Sequence, residues 1–306
     1  MIGEPVCVAP TADVCGEGVV WHAAQGAVYW TDINRFLIHR LNVADSSVRS
    51  WMFAEPVTAL SLTDRDDVLA VVLGSRVILW EPATEVCHDT IFRLEGWPAV
   101  RLNEARSDPR GSLWVGSMRN NVNADGSAGK AGGQDGILVR LDPNGTATRC
   151  REKIGISNTL AWSPDHRRLY FGDTLANVIW VYDYDPSSGA ISNERAFLEG
   201  FARGYPDGST VDSEGYLWNC RFYGKCIVRV APDGKIDQLV EMPVQNITTC
   251  TFGGADLKTL FVTTASAEAP RGDRLAGSLF SIQTKVKGQP ENRFCYYGSA
   301  APTTRP

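Results

Sequence analysis

Four residues with oxygen-bearing side chains recur at one position of a repeated sequence pattern. They are Glu17, Asn103, Asn158 and Asp207, each about 10 to 13 residues upstream of an apolar and aromatic pair. That offset suits one short strand plus a hairpin turn. Carboxylate and amide oxygens suit a hard divalent cation such as calcium, magnesium or manganese. The two carboxylates would offset the charge of the cation, and water would complete its coordination.

Each of these residues has a simpler explanation when it is considered alone. Asp207 lies between a proline and a glycine, a common turn sequence, and Asn158 could also occupy a turn. Glu17 could be a solvated surface charge, and Arg101 could simply pair with the nearby Glu104. The shared phase of the four oxygen-bearing residues favours a single site over four coincidences.

A cassette of two short strands recurs along the whole chain. A turn rich in Asp, Gly and Pro precedes a strand with an aromatic residue near its start, and a second turn leads to a second apolar strand. No long segment has apolar residues at helical spacing. Six copies at spacings of about 40 to 56 residues predict an all-β, six-bladed β-propeller, with a β-sandwich as the alternative. They begin at Ala27, Asp67, Gly111, Leu169, Gly215 and Leu260, and the spacings are counted between the equivalent positions Trp30, Ala70, Trp114, Tyr170, Trp218 and Phe261.

The two ends of the chain and one insertion complete the predicted architecture. Glu4–Ala9 precedes the first copy, and we expect it to close the ring as the outer strand of the blade that carries Phe280. Residues 1–306 would then form a single propeller domain. The third copy contains the insertion Asn120–Gly136, which is rich in Gly, Ala, Asn and Asp. Its composition predicts a flexible surface loop without a strand or helix.

The bulk properties argue against several classes of partner. The net charge is -5 and no basic cluster occurs, so nothing indicates nucleic-acid or anionic-membrane binding. No apolar run approaches the roughly 20 residues needed to span a bilayer. The N-terminus lacks the basic and apolar regions of a signal peptide. The expected compartment is the cytoplasm, and the oligomeric state is left open.

Four motifs surround the oxygen-bearing residues: Gly16-Glu17-x-x-x-Trp21, Arg101-x-Asn103, Ile156-Ser157-Asn158-x-Leu160-x-Trp162 and Pro206-Asp207-Gly208. They resemble the motifs of the gluconolactonase and regucalcin family, also called the senescence marker protein family. The resemblance extends over nearly the whole chain, and the stretch Tyr205–Trp218 resembles the bacterial sugar-acid lactonases within that family. It implies one divalent cation at the channel mouth, held by Glu17, Asn158 and Asp207, with Arg101 and Asn103 contacting the substrate. Calcium, zinc, magnesium, manganese and iron(II) are all candidates for the cation.

One motif departs from that family. Several relatives place an acidic residue just after a Gly-Thr-Met-like strand, but here Gly116-Ser117-Met118 is followed by Arg119-Asn120-Asn121. Asn121 is therefore the nearest match for a third substrate contact. Arg119 and Arg221 each follow a second-strand region near the predicted mouth. They could recognise an anionic group on the substrate, with ordinary surface arginines as the alternative.

The resemblance implies hydrolysis of a sugar lactone, which is an internal ester, and the residues named above could carry out that reaction. The cation would polarise the carbonyl and activate a water molecule, and Asp207 would also accept a proton from that water. Arg101 would hold a ring hydroxyl or stabilise the oxyanion. A covalent route is not favoured, because the sequence contains no Gly-x-Ser-x-Gly elbow. The alternatives are a non-catalytic calcium-binding or protein-interaction propeller, and a propeller esterase that acts on phosphotriesters or aryl esters.

Overall fold

Strands account for nearly all of the regular structure. The computed structural model describes residues 2–296, and within them 24 β-strands form six antiparallel sheets of four strands each. The helical structure in this range is a 3-10 turn at Ala23–Gln25. No helix in the described part of the chain is long and apolar enough to cross a membrane. The predicted all-β, six-bladed β-propeller is confirmed, and each sheet is one blade.

Each blade is built from strands that run in sequence order from the channel to the surface, except for the outer strand of blade 6. Blade 1 contains β2 (Gly16–His22), β3 (Ala27–Asp32), β4 (Leu37–Asn42) and β5 (Val48–Met52). Blade 2 contains β6 (Val57–Leu62), β7 (Leu69–Leu73), β8 (Arg76–Glu81) and β9 (Val86–Arg93). Blade 3 contains β10 (Val100–Ser107), β11 (Leu113–Arg119), β12 (Gly136–Leu141) and β13 (Ala147–Ile154).

The second half of the ring follows the same order. Blade 4 contains β14 (Ser157–Trp162), β15 (Arg168–Asp173), β16 (Val178–Tyr184) and β17 (Ile191–Glu199). Blade 5 contains β18 (Tyr205–Val211), β19 (Leu217–Phe222), β20 (Cys226–Val230) and β21 (Ile236–Glu241). Blade 6 contains β22 (Ile247–Gly253), β23 (Thr259–Thr264), β24 (Leu279–Gln283) and β1 (Val6–Ala9).

The N-terminal strand belongs to the last blade. β1 pairs antiparallel with β24, with Cys7 opposite Phe280, so the first strand of the chain is the outer strand of blade 6. Inner strands β22 and β2 are neighbours, and the Thr248 hydroxyl donates to the Gly16 carbonyl at 2.5 Å. The ring is therefore joined at both its inner and outer edges. Residues 1 and 297–306 of the predicted single domain lie outside the described residues.

Two blades begin their second strand with the same turn. Asp108 and Asp212 directly follow the inner strands β10 and β18. One oxygen of each carboxylate accepts from backbone N–H groups two and four residues further on. The other oxygen accepts from the indole nitrogen of Trp114 or Trp218, at 2.9 Å in both blades. The turn and aromatic signals of the repeat thus arise from one buried carboxylate that orients a core tryptophan.

The segment after β24 crosses the end of the channel where the inner strands finish. The Gln289 amide donates to backbone carbonyls at the ends of β14 and β18, at 3.3 and 3.2 Å. The Asn292 amide donates to the last carbonyl of β10 at 3.1 Å, and the Phe294 N–H donates to the last carbonyl of β6 at 2.8 Å. Phe294 is buried in the core. This segment connects four blades at the channel end opposite the predicted site.

Part of the insertion predicted as an unstructured loop is a folded hairpin. Val122 and Ala128 pair in an antiparallel bridge, and the Gly129 N–H donates to the Asn121 carbonyl at 2.7 Å. The turn between them is an Asp-Gly sequence, in which the Asp125 carboxylate accepts from a backbone N–H at 2.9 Å. The predicted absence of a strand or helix is confirmed for residues 120–135. The Asp-Gly sequence, which is itself a hairpin-turn signal, accounts for the hydrogen-bonded turn at residues 121–129.

Candidate functional site

The backbone explains why residues at one phase of the repeat reach one place. Near its start, every inner strand shifts its pairing register with the second strand of its blade. Such a bulge re-aims the side chains it carries. Four of the six shifts coincide with the predicted oxygen-bearing residues. The shifts lie between Glu17 and Val20, Val57 and Ala59, Leu102 and Ala105, Asn158 and Leu160, Pro206 and Ser209, and Ile247 and Cys250.

Glycine follows both predicted acidic ligands because neighbouring inner strands approach closely there. A Cβ on Gly18 would lie 2.8 Å from the Cα of Ala59, and this residue has a φ of +57°. A Cβ on Gly208 would lie 2.1 Å from the hydroxyl oxygen of Thr249. Only glycine fits such contacts without a shift of the neighbouring strand. The Glu-Gly and Asp-Gly pairs therefore reflect packing around the channel as well as turn chemistry.

Two equivalent aspartates hold the segments that lead into the inner strands of blades 1 and 4. Asp32 ends β3 and accepts from the backbone N–H groups three and two residues before Glu17, at 2.9 and 3.2 Å. Asp173 ends β15 and accepts from the N–H groups three and two residues before Asn158, at 2.8 and 3.1 Å. The same anchor thus fixes two of the predicted ligands, and the sequence analysis had not recognised it.

The carboxyl groups of Glu17 and Asp207 lie in hydrogen-bonding contact with each other. The two residues are 7% and 6% exposed. Burial raises the pKa of both groups well above the usual range, and the charge of Glu104 raises each pKa further. The backbone N–H of Gly18 also donates to Glu17 at 3.0 Å. Two buried acids in contact need a shared proton or a cation between them.

The opposite side of the site is a network of an arginine and amides. Arg101 donates to the side-chain oxygen of Asn121 from two nitrogens, at 3.1 and 2.8 Å, and to Asn103 at 2.5 Å. Asn103 in turn donates to the Ser157 carbonyl at 2.8 Å and lies 3.4 Å from the side-chain oxygen of Asn158. Burial lowers the pKa of Arg101 to about 10, although nearby groups that can carry a negative charge act to raise this pKa.

A threonine that sequence reasoning missed orients Asn158. The Thr174 hydroxyl donates its one hydrogen to the Pro206 carbonyl at 2.8 Å. The hydroxyl must therefore accept from the amide nitrogen of Asn158, which lies 2.8 Å away. The amide oxygen of Asn158 is left on the side of Asn103. Thr174 follows the anchoring Asp173, so the Asp-Thr pair after an aromatic strand is the signal that could have identified it.

The structure thus brings together all six residues predicted to act in the site. The acidic pair lies on blades 1 and 5, and the arginine–amide network lies on blades 3 and 4. Within residues 2–296 no group of three or more His, Cys, Asp or Glu side chains is placed to hold a metal ion. The oxygen atoms that the six site residues offer belong to two carboxylates and three amides. The six are Glu17, Arg101, Asn103, Asn121, Asn158 and Asp207.

A family model described as the SMP-30/gluconolactonase/LRE-like region matches residues 15–266. The chain belongs to this family. The matched range begins just before Glu17 and includes every residue of the site described above, together with all six inner strands. The family resemblance expected from four short motifs is confirmed over most of the chain.

Relatives within the SMP-30/gluconolactonase/LRE-like family match over almost their full lengths. Pentonolactonase XacC of Haloferax volcanii is 33% identical in an alignment that covers 94% of this chain and 96% of that protein. The 6-deoxy-6-sulfogluconolactonase of Pseudomonas putida is 30% identical, covering 94% and 97%. The crystal structure of regucalcin from Agrobacterium tumefaciens, described as a calcium-binding protein, superimposes with a TM-score of 0.88 at 26% identity, covering 95% and 97%.

Two arginines considered for recognition of an anionic substrate have other partners in this family member. Arg221 is buried, and it donates to several backbone carbonyls and to the amide oxygens of Asn177 and Asn219, at 2.9 and 3.1 Å. Arg119 pairs with Asp135 at 2.7 Å. Arg221 is therefore not a surface residue, because it is buried and its donors hold the backbone segment that leads into β18.

Glu104 is a further buried acid whose position the sequence analysis did not recognise. It lies in the bulge of β10 beside Asn103, and burial raises its pKa to about 7 although nearby Arg106 opposes this. The alternative in which Arg101 simply pairs with Glu104 is not observed, because the hydrogen bonds of Arg101 run to Asn103, Asn121 and a backbone carbonyl. The sequence signal that could have identified Glu104 is its position directly after Asn103, at the shared phase of the repeat.

Proposed function

We propose that this chain hydrolyses a sugar lactone to the sugar acid, using one divalent cation held by Glu17, Asn158 and Asp207. The observation that supports this proposal is the contact between two buried carboxyl groups, Glu17 and Asp207, opposite a buried arginine and amide network. An acidic pair in such surroundings is a functional-site candidate.

The residues present fit a hard cation. Burying two adjacent negative charges is costly unless a positive charge compensates them, and the raised pKa values of Glu17 and Asp207 reflect that cost. Thr174 keeps the amide oxygen of Asn158 available as an uncharged ligand for the cation. Carboxylate and amide oxygens are the ligands preferred by calcium, magnesium and manganese. Zinc and iron(II) complete the set to be tested.

When bound, the cation would supply Lewis-acid polarisation of the lactone carbonyl and lower the pKa of water. The protein groups would carry out the other tasks. Asp207 would take the proton of the attacking water, a role worth about 10²–10⁴-fold. Asn103 and Asn121 would orient substrate hydroxyls. A guanidinium has five N–H donors, and four hydrogen bonds within the described residues hold Arg101, so one donor remains for a substrate oxygen.

The relatives support the reaction class and also supply the main alternative. Two relatives of nearly full length carry names that specify lactone hydrolysis, of a pentonolactone and of a sulfonated gluconolactone. Others are named regucalcin, and the regucalcin structure is described as calcium-binding. A non-catalytic calcium-binding propeller is therefore the second candidate. It predicts binding of the cation without turnover.

A proton-release assay tests the proposal directly. Purified protein, freed of metal by a chelator and then dialysed, should show no turnover of γ- or δ-aldonolactones, and one divalent cation should restore it. The same cation should stabilise the fold, by about 2.7 kcal/mol at one hundred times its Kd, measured as a shift in thermal unfolding. Stabilisation without turnover of any lactone would favour the calcium-binding alternative, and turnover in chelator would contradict the metal requirement.

Replacing Arg101 with lysine should lower kcat/KM by roughly 10- to 150-fold for a lactone that the cation-loaded wild-type protein hydrolyses. A lysine keeps the charge but cannot hold Asn121 and Asn103 while it also contacts a substrate oxygen. Hydrogen bonds to charged groups are worth about 1.5–3 kcal/mol, which gives that range. The exposed Arg149→Lys variant, whose arginine pairs with Glu152 at the surface, is the matched control. Equal kinetics for both variants would remove Arg101 from the substrate contacts.

A further inference from the structure

Four large apolar side chains are exposed around the end of the channel that carries the candidate site. They are Leu175, Tyr205, Tyr223 and Leu275, with exposed fractions of 46%, 45%, 38% and 39%, and they are here called the apolar rim. The other exposed large apolar side chains of residues 2–296 lie on outer strands or in the turn after β4: Val6, Val43, Val48, Met52, Val86, Ile236 and Leu239.

The register of the strands places the apolar rim at this end of the channel. Each inner strand starts there, and the second strand of the same blade ends beside it. Tyr205 begins β18 and pairs with the last residue of β19, so Tyr223 follows at the same end. The last residue of β15 pairs with the first residue of β14, and Leu175 lies two residues beyond β15. β23 ends beside the start of β22, and Leu275 lies in the segment that follows β23.

The apolar rim is continuous from blade 4 to blade 6. The hydroxyl of the residue before Leu175 donates to the carbonyl of the residue after Tyr205, at 2.8 Å, so these two side chains are neighbours. The rings of Tyr205 and Tyr223 meet edge to face, with 6.4 Å between their centroids. Tyr223 and Leu275 line one cavity of about 750 Å³ between blades 5 and 6.

The apolar rim adjoins two of the residues predicted to hold the cation. Tyr205 lies two residues before Asp207, and the Thr174 that orients Asn158 is the neighbour of Leu175. The hydroxyls of one sugar ring already have partners in the arginine–amide network of blades 3 and 4. That network gives the rim no function in binding such a ring. Contiguous exposed apolar surface beside a binding site indicates contact with another apolar group.

We infer that the apolar rim binds an apolar substituent of the substrate, so that the preferred sugar lactone carries an alkyl or aryl group outside its reacting ring. This inference rests on the proposed lactone hydrolysis and specifies its substrate class. The ring hydroxyls would contact the arginine–amide network, and the substituent would lie against Leu175 and Tyr205. The Tyr223 hydroxyl donates to Glu268, which holds that ring beside Tyr205 before a substrate binds. The driving force would be the removal of apolar surface from water.

Two ethers of glucono-1,5-lactone test the inference. The 6-O-methyl and 6-O-hexyl ethers have the same ring and the same free hydroxyls, and they differ by five methylene groups. Complete burial of one methylene group is worth about fourfold in binding. On an open rim, where burial is partial, the five groups together should raise kcat/KM by about tenfold or more. The quantity measured is the ratio of kcat/KM for the hexyl ether to kcat/KM for the methyl ether, with full-length, cation-loaded protein.

Variants of the apolar rim should lower this ratio, because any loss common to both ethers cancels. Tyr205→Ser and Leu175→Ser should each lower it by about threefold or more, and the double variant should bring it close to one. Tyr205→Phe keeps the ring and should keep the wild-type ratio. Leu239→Ser is the matched control for Leu175→Ser, because Leu239 is a leucine of similar exposure on the outer strand β21, and it should also keep the ratio.

The outcomes separate this inference from the function on which it rests. A wild-type ratio close to one would overturn the inference, and so would a high ratio that both serine variants retain. Hydrolysis of glucono-1,5-lactone but of neither ether would overturn it as well, and would leave the proposed function intact. Sedimentation of the wild type as a dimer and of Tyr205→Ser as a monomer would show that a second copy of the chain covers the rim, against the inference. A protein that hydrolyses no aldonolactone with any candidate cation would contradict the proposed function and the inference together.

Discussion

Replacing Asp207 with asparagine should lower kcat/KM for lactone hydrolysis by roughly 10²–10⁴-fold, the range for loss of a general base, even at saturating metal. Asparagine has almost the same shape and keeps an oxygen donor, so it can still contact the cation. It lacks the negative charge and cannot accept a proton from water near neutral pH. The change also removes the repulsion with Glu17, so the metal-free protein should be no less stable than the wild type.

The Asp207 experiment has a matched surface control and a second ligand for comparison. Asp233 lies in an exposed turn where it pairs with Lys235, and Asp233→Asn should leave kcat/KM unchanged. Glu17→Gln should weaken cation binding, measured by calorimetry, but its activity should recover further than that of Asp207→Asn when excess metal is added. Full recovery of Asp207→Asn at high metal would show that Asp207 acts only as a ligand.

The fold was predictable because the repeat has a local physical cause. In the third and fifth copies, an aspartate after the inner strand, a glycine in the turn and a tryptophan six residues after the aspartate form one hydrogen-bonded unit. The unit depends on residues close in sequence, so the pattern is visible without a structure. Blade closure by Val6–Ala9 follows from the leftover strand before the first copy.

The placement of the candidate site residues could be predicted because residues at one phase of the sequence repeat share one backbone feature. The register shift near the start of each inner strand occurs at Glu17, Asn158 and the neighbours of Asn103 and Asp207. A residue at that phase therefore turns towards the channel whichever blade carries it. Asn121 is different, since only the family motif suggested it, and its hydrogen bonds to Arg101 place it beside the others.

The features that the sequence analysis missed depend on contacts between distant segments. The Asn34–Gly126 hydrogen bond joins residues 92 positions apart, and Gln289 reaches a carbonyl 127 positions away. No local periodicity encodes such pairs. Arg221 was misjudged for the same reason, because its partners lie in loops of blades 4 and 5 that become neighbours only after folding.

Replacing Asp212 with alanine should lower the free energy of unfolding by about 3–5 kcal/mol, the usual cost of breaking a buried ion pair. Asp212 is fully buried and accepts from the Trp218 indole at 2.9 Å. It also pairs with Arg229 at 2.7 Å and accepts from two backbone N–H groups. Alanine leaves all of these donors without that acceptor. Since domains are typically stable by only about 5–15 kcal/mol, urea denaturation should show a large shift of the midpoint.

Two further variants separate the charge of Asp212 from the tryptophan that it orients. Trp218→Phe removes one donor and leaves the ion pair with Arg229, so it should cost clearly less than Asp212→Ala. Asp233→Ala, in an exposed turn of the same blade, should change the free energy of unfolding by no more than about 0.5 kcal/mol. If Asp212→Ala unfolded at the wild-type midpoint, the buried carboxylate would not be what stabilises the turn. The tryptophan packing alone would then explain the repeat signal of blades 3 and 5.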